Sequence, residues 1–95
     1  MVLLSAAEVK SHLKELKGWS VTGKSVWKKF KFKNFVQAVD FVNRIVPIAE
    51  EIQHHPDVTI ENYNEVIISS TTHDEGGLTV WDFQLVHKIE QLAVK

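Results

Sequence analysis

Two adjacent histidines, His54 and His55, are followed at once by Pro56, and a third, His73, stands further along, just before a Gly-Gly loop. Imidazole titrates near neutrality, so within such a set one ring can donate a proton while another accepts one, with no cofactor. Glu50 precedes His54 by four residues, a spacing that puts both on one face of a helix. Other chemistries compete for these residues. A protonated histidine is favoured at a helix C-terminus, but that dipole effect accounts for one imidazole and poorly for three. Three histidines with an open position describe a catalytic zinc site. Adjacent histidines usually project in different directions, however, and no HExxH spacing is present, so no metal is expected. Ser69, Ser70, Thr71 and Thr72 bring hydroxyls near His73, yet no nucleophile-elbow pattern surrounds them. General acid–base work suits the set best. His12 and His87, each among polar neighbours, read as partly solvated surface residues.

Distant histidines act together only if the elements carrying them converge. Ser5-Ala6-Ala7-Glu8 has the form of a capping box, and predicts a helix that buries Val9, Leu13 and Leu16 and stops at Gly18. Trp19–Val21 and Val26–Lys33 read as a hairpin around Thr22-Gly23-Lys24-Ser25. In its second strand Phe30 and Phe32 face opposite to Lys29, Lys31 and Lys33. Asn34-Phe35-Val36-Gln37 opens a second helix with the apolar stripe Phe35, Ala38, Val39, Val42, Ile45, Val46, Ala49, Ile52. Pro47 lacks a backbone donor and is expected to kink or split that helix. Pro56 disfavours a helical His55, so the helix ends by His54 or His55.

Val58–Tyr63 and Glu65–Thr72 read as a second hairpin. Thr79-Val80-Trp81-Asp82 is a third capping box, opening a helix with Leu78, Trp81, Leu85, Ile89 and Leu92 on one face. The order is α-β-β-α-β-β-α, which predicts an α+β fold: a four-stranded antiparallel sheet with three helices packed on one face. In that fold the start of the third strand lies beside the end of the fourth, so His54, His55 and His73 meet at one rim of the sheet.

Ninety-five residues make a single domain, expected to span 1–95. An apolar share of 44% and a charged share of 24% are those of an ordinary globular protein, which excludes disorder. There is no cysteine, so disulfides, thiolate metal sites and a cysteine nucleophile are excluded. No apolar run approaches the roughly 18 residues that span a bilayer, so no membrane partner is expected. Met1–Lys10 lacks the form of a secretory signal, and a cytoplasmic location is the expectation. The net charge of −1 hides a basic first third, from Lys10 to Lys33, and an acidic remainder.

Glu50-x3-His54-His55-Pro56, Tyr63-Asn64, Thr72-His73, Gly77-Leu78 and Asp82, with Phe30-x-Phe32-x-Asn34-Phe35 upstream, resemble the signature of the pterin-4a-carbinolamine dehydratase family. The resemblance covers nearly the whole chain. It implies a lyase that removes water from a 4a-hydroxytetrahydropterin to give the quinonoid dihydropterin, without metal or cofactor. It implies His54 and His73 as the proton-transfer pair, with His55 binding substrate and stabilising the leaving hydroxyl. Glu50, Thr71 and Thr72 would hold the polar edge of the pterin, and Asp82 is a further binding residue. A capping box alone also accounts for an acidic residue at Asp82. A homodimer or homotetramer is implied as well. Val58 stands where the family often has a tryptophan, Gln53 where it sometimes has an aspartate, and one residue is inserted between Pro56 and Tyr63 relative to animal members.

Two non-enzymatic readings stand beside this one. Trp27-Lys28-Lys29-Phe30-Lys31-Phe32-Lys33 mixes basic and aromatic residues as single-strand nucleic-acid binders do. The alternation argues against it, since it puts Phe30 and Phe32 in the core and the lysines on a solvated face, so no nucleic-acid partner is expected. An interaction module without catalysis is the other, and no residue speaks for it.

Overall fold

The computed structural model describes residues 2–93. Along the chain, α1 (Ala6–Leu13), β1 (Ser20–Thr22), β2 (Ser25–Lys31), α2 (Phe35–Ile52), β3 (Asp57–Glu61), β4 (Glu65–Ser70) and α3 (Val80–Ala93) follow one another in the expected order, with a short 3₁₀ turn at His73–Glu75 before α3. The four strands form one antiparallel sheet in the order β1-β2-β4-β3. Two sequential hairpins are thus joined through their second strands, leaving β1 and β3 as edges.

Strand alternation decides which side of the sheet is covered. Val26 and Phe30 of β2 and Val66 and Ile68 of β4 point inward and are buried with Phe41, Ile45 and Ala49 of α2 and Phe83, Val86 and Ile89 of α3. Lys29, Lys31 and Trp27 take the opposite face. Lys28 shares the inward side, where its ammonium lies 4.8 Å from the centre of the Phe30 ring and reaches Glu90 Oε1 at 3.0 Å and the Lys17 carbonyl at 3.0 Å. A lysine survives on a core face because its head is carried out to the rim of the packing.

Each helix begins as its cap predicts. Ser5 Oγ accepts from Glu8 N–H while Glu8 Oε1 accepts from Ser5 N–H. Asn34 Oδ1 accepts from Gln37 N–H, and Gln37 reaches back to Lys33 N–H rather than to Asn34. Several details depart from the helical patterns read in the sequence. α1 ends at Leu13, and Leu16 is buried from the turn that follows rather than from the helix. Pro47 does not split α2, which runs unbroken through it. The missing hydrogen bond lies toward exposed Asn43, where water can substitute, while Ile45 and Ala49 anchor both sides of the proline to one core. The buried face of α2 also turns further than its stripe suggested. Phe41 is in the core, whereas Phe35 and Val46 are more than half exposed. In α3, Phe83 and Val86 are fully buried and Trp81 lies at the surface.

α2 ends at Gln53, which adopts the left-handed conformation (φ 59°, ψ 41°) while its N–H still donates to the Ala49 carbonyl. That turn carries His54 and His55 off the helix and toward β3. The strand register, with Asp57 opposite Ser69, then brings them beside the segment that leaves β4.

Candidate active site

The cleft at this rim is lined by Gln53, His54, His55, Thr71, Thr72, His73 and Asp74 and encloses about 290 Å³. All three expected histidines therefore border one space. A larger groove of about 450 Å³ lies between α1 and the β1–β2 turn, but its walls are mainly Leu, Val and Ala and hold no acid–base set.

His54 is the most constrained of the three. Its Nε2 lies 2.7 Å from Asp82 Oδ1, the imidazole being 15% exposed and the carboxylate 0%. Asp82 sits in the first turn of α3, placed there by its capping box: Thr79 N–H donates to Asp82 Oδ2 at 2.8 Å. Ser70 Oγ donates to Oδ1 at 2.6 Å and Thr72 Oγ1 to Oδ2 at 2.8 Å. Each carboxylate oxygen accordingly accepts two hydrogen bonds. A carboxylate only accepts, so Nε2 of His54 carries the proton of this contact and Nδ1 is the nitrogen left to exchange one. Thr72 has spent its single hydroxyl proton on Asp82, so in its 2.9 Å contact with Thr79 Oγ1 the latter donates. No buried polar side-chain atom among the described residues lacks a partner.

His55 is held differently. Its Nε2 meets Glu50 Oε2 at 2.6 Å, with both side chains more than half exposed. Helical spacing predicted Glu50 beneath His54; the left-handed Gln53 moves His54 out of that spacing and brings His55 around instead. His73 opens the 3₁₀ turn, is exposed, and has no side-chain hydrogen bond among the described residues. Gly76, left-handed at φ 74°, closes that turn by donating to the Thr72 and His73 carbonyls, while Thr72 N–H donates to the Gly77 carbonyl. Thr71 Oγ1 donates to the Lys24 carbonyl at 2.5 Å, tying the cleft wall to the β1–β2 turn.

The model of a family described as pterin 4 alpha carbinolamine dehydratase matches residues 2–92. The chain belongs to that family. Among its relatives in the dehydratase family is a protein of Sulfurisphaera tokodaii, 46% identical over 92 residues that cover 97% of this chain and 98% of the relative. Another, from a Cyanothece species, is 50% identical over 91 residues, 96% and 93% of the two chains. Both carry the name pterin-4-alpha-carbinolamine dehydratase provisionally. A crystal structure of a transcriptional coactivator/pterin dehydratase from Brucella melitensis superposes with a TM-score of 0.89 at 31% identity, covering 96% of this chain and 98% of its own. The dehydratase-family fold is therefore shared along the whole described chain.

Ser70 and Thr79 complete the buried network beneath His54, and neither was singled out for that role from the sequence. A signal for Ser70 did exist. It continues the inward series Val66, Ile68, Ser70, and a hydroxyl at a core position needs a buried partner. The identity of the partner required the fold.

Proposed function

We propose that the protein dehydrates a 4a-hydroxytetrahydropterin to the quinonoid dihydropterin by general acid–base catalysis, with His54, His55 and His73 as the catalytic residues. The observation that carries this reading is the fixed His54 tautomer beside an exposed, unengaged His73 in one cleft. In the reaction the N5 lone pair forms the C4a=N5 bond as the C4a–O bond breaks. One imidazole protonates the departing hydroxyl and the other takes the N5 proton, so the pair as a whole neither gains nor loses a proton. His55, held by Glu50, is placed to bind the hydroxyl as it leaves. Positioned acid–base groups of this kind contribute about 10²–10⁴-fold.

Thr71 donates its hydroxyl proton inward but keeps lone pairs that can accept from the pterin's N–H edge. Thr72 Oγ1 donates to Asp82 and accepts from Thr79, which leaves one lone pair for the polar edge of the pterin. Asp82, with no exposed surface and both oxygens occupied, serves the site through His54 rather than by touching the ring. Among the described residues no three His, Cys, Asp or Glu side chains are grouped to hold a metal ion, and His54 and His55 each have a ring nitrogen committed to a carboxylate.

On the outer sheet face Lys29 lies 3.3 Å from Glu61 and 3.9 Å from Glu65, and Trp27 Nε1 donates to Thr22 Oγ1, so both side chains are engaged within the protein. Edge strands β1 and β3 fit a homodimer or homotetramer. No described helix is long and apolar enough to cross a membrane, which accords with a cytoplasmic enzyme.

Stopped-flow dehydration of 4a-hydroxytetrahydropterin, with and without EDTA, tests the reading. Wild type is expected to exceed the spontaneous rate in both, and His54→Ala and His73→Ala each to lose about 10²-fold or more. A wild-type rate equal to the spontaneous one would falsify the enzyme, and loss in EDTA would assign the chemistry to a metal.

A further inference from the structure

The His73 side chain makes no hydrogen bond among the described residues, so the backbone of its loop alone decides where the imidazole stands. That loop closes on Thr72. Glu75, Gly76 and Gly77 N–H donate to the Thr72 carbonyl, and Thr72 N–H donates to the Gly77 carbonyl at 2.9 Å. Its two ends are tied down differently. At the start, Thr72 Oγ1 donates to buried Asp82 and Thr71 Oγ1 to the Lys24 carbonyl. At the end, Leu78 is buried, and two residues from ahead of α1 close over the chain. Leu4 N–H donates to the Leu78 carbonyl at 2.9 Å, and Leu3 covers Gly77, which is buried although it has no side chain. Gly76 is left-handed, whereas Gly77 is not, so backbone conformation does not require a glycine at 77. A Cβ there would stand 3.0 Å from Leu3 Cδ2, the one atom within 4 Å beyond the adjacent residues. Contact with Leu3 is what keeps residue 77 small.

Resting on the dehydratase reading, we propose that Leu3 and Leu4 are positioning residues for His73, an arm that holds the far end of the proton-transfer loop. Neither residue lines the cleft; both line the apolar groove behind it, so they act through the loop rather than on substrate. A surface loop closed by its own exposed backbone bonds opens readily, and an outside contact that favours one arrangement suppresses that opening. The gain falls on the chemical step, because misplacing a reacting group by about 1 Å costs on the order of 10²-fold in rate. Substrate binding has separate ties, Thr71 to the β1–β2 turn and Thr72 to Asp82. Loosening the arm therefore frees His73 while leaving those contacts in place.

Two variants test this. One lacks residues 2–4, so that the initiating methionine directly precedes the intact Ser5–Glu8 capping box; the other is Leu3→Ala, at a side chain 47% exposed and outside the core. In stopped-flow dehydration of 4a-hydroxytetrahydropterin, Leu3→Ala should lower kcat severalfold and the truncation by about 10–10²-fold. KM should change little, the mark of an interaction that matters only in the transition state. Leu3→Met, close in volume to leucine, should return kcat toward wild type. Amide exchange followed by NMR gives a readout independent of turnover. Thr72 and Gly76 N–H should exchange faster in the truncated chain, while the amides of the inner strand β4 keep wild-type protection. Full kcat in the folded truncated chain, or unchanged exchange at Thr72, overturns the arm. Equal loss of protection along β4 also overturns it, since the effect would then be one of global stability. A wild type no faster than the spontaneous reaction overturns the dehydratase reading instead, and exchange at Thr72 still decides whether the arm orders the loop.

Discussion

Asp82 Oδ1 lies 2.7 Å from His54 Nε2, joining the first turn of the last helix to the residue just past the end of the middle one, and no part of that carboxylate reaches solvent. The same carboxylate caps α3 through Thr79 N–H and takes protons from Ser70 and Thr72. The two contacts are therefore one arrangement: the cap places the carboxylate, and the carboxylate orients the imidazole.

Asp82→Asn should damage both. An amide has one oxygen and a pair of donors, so at least one of the four incoming hydrogens would meet a donor. A loss of about 2–3 kcal/mol in unfolding free energy is expected from denaturant titration. The folded fraction should also lose kcat by more than KM rises, since His54 would no longer be held in one tautomer. Unchanged kcat in folded Asp82→Asn would confine the residue to its cap.

Gly76→Ala tests the turn that presents His73. Its φ of 74° is left-handed, where a side chain costs about 1–2 kcal/mol. Urea unfolding should register a loss of that size, and kcat should fall severalfold as the turn shifts His73. Retention of full kcat would show that His73 is not positioned by this turn.

Gln53→Gly acts in the other direction. Gln53 already occupies the left-handed region, so glycine removes that strain while adding unfolded-chain entropy. A net gain of about 0.5 kcal/mol is expected, with little change in activity because the backbone path to His54 is preserved. A clear loss of stability would mean the Gln53 side chain contributes contacts beyond its backbone turn.

The α1 cap makes a pH-dependent contribution of known sign. Hydrogen bonds from the Ser5 backbone and hydroxyl hold the Glu8 carboxyl below its ordinary value of 4.5. A lowered folded-state value means the stabilisation is present at neutral pH and is lost as pH falls below about 4.5 through the folded value. Wild type should therefore be more stable than Glu8→Gln at pH 7, with the gap closing in acid. Ser5→Ala should move the Glu8 midpoint, followed by carboxyl NMR, back toward 4.5. A midpoint unmoved by Ser5→Ala would confine the cause to the residue 5 backbone N–H, which alanine keeps.

Much of this architecture was legible from local chemistry. Capping boxes at Ser5, Asn34 and Thr79 marked helix starts because orphan N–H groups need nearby acceptors. Period-2 alternation assigned Phe30 inward and Lys29 outward, and the histidine positions beside Pro56 and the Gly-Gly loop put the three imidazoles at one rim. Where a single axis of periodicity had to be read over many residues, the reading drifted. Phe35 and Val46 of α2 belong to a surface, and Phe41 to the core, because the face a helix buries is set by what packs on it.

The residue types and their order determined the elements, the family signature and the three histidines that line the cleft, since caps, turns and alternation act over a few neighbouring residues. Tertiary structure alone decided which carboxylate His54 and His55 each meet. One left-handed residue, Gln53, carries His54 to Asp82 and His55 to Glu50, reversing the pairing that helical spacing implied. Contacts between groups distant along the chain depend on the summed path between them, and a single backbone dihedral is enough to redirect that path.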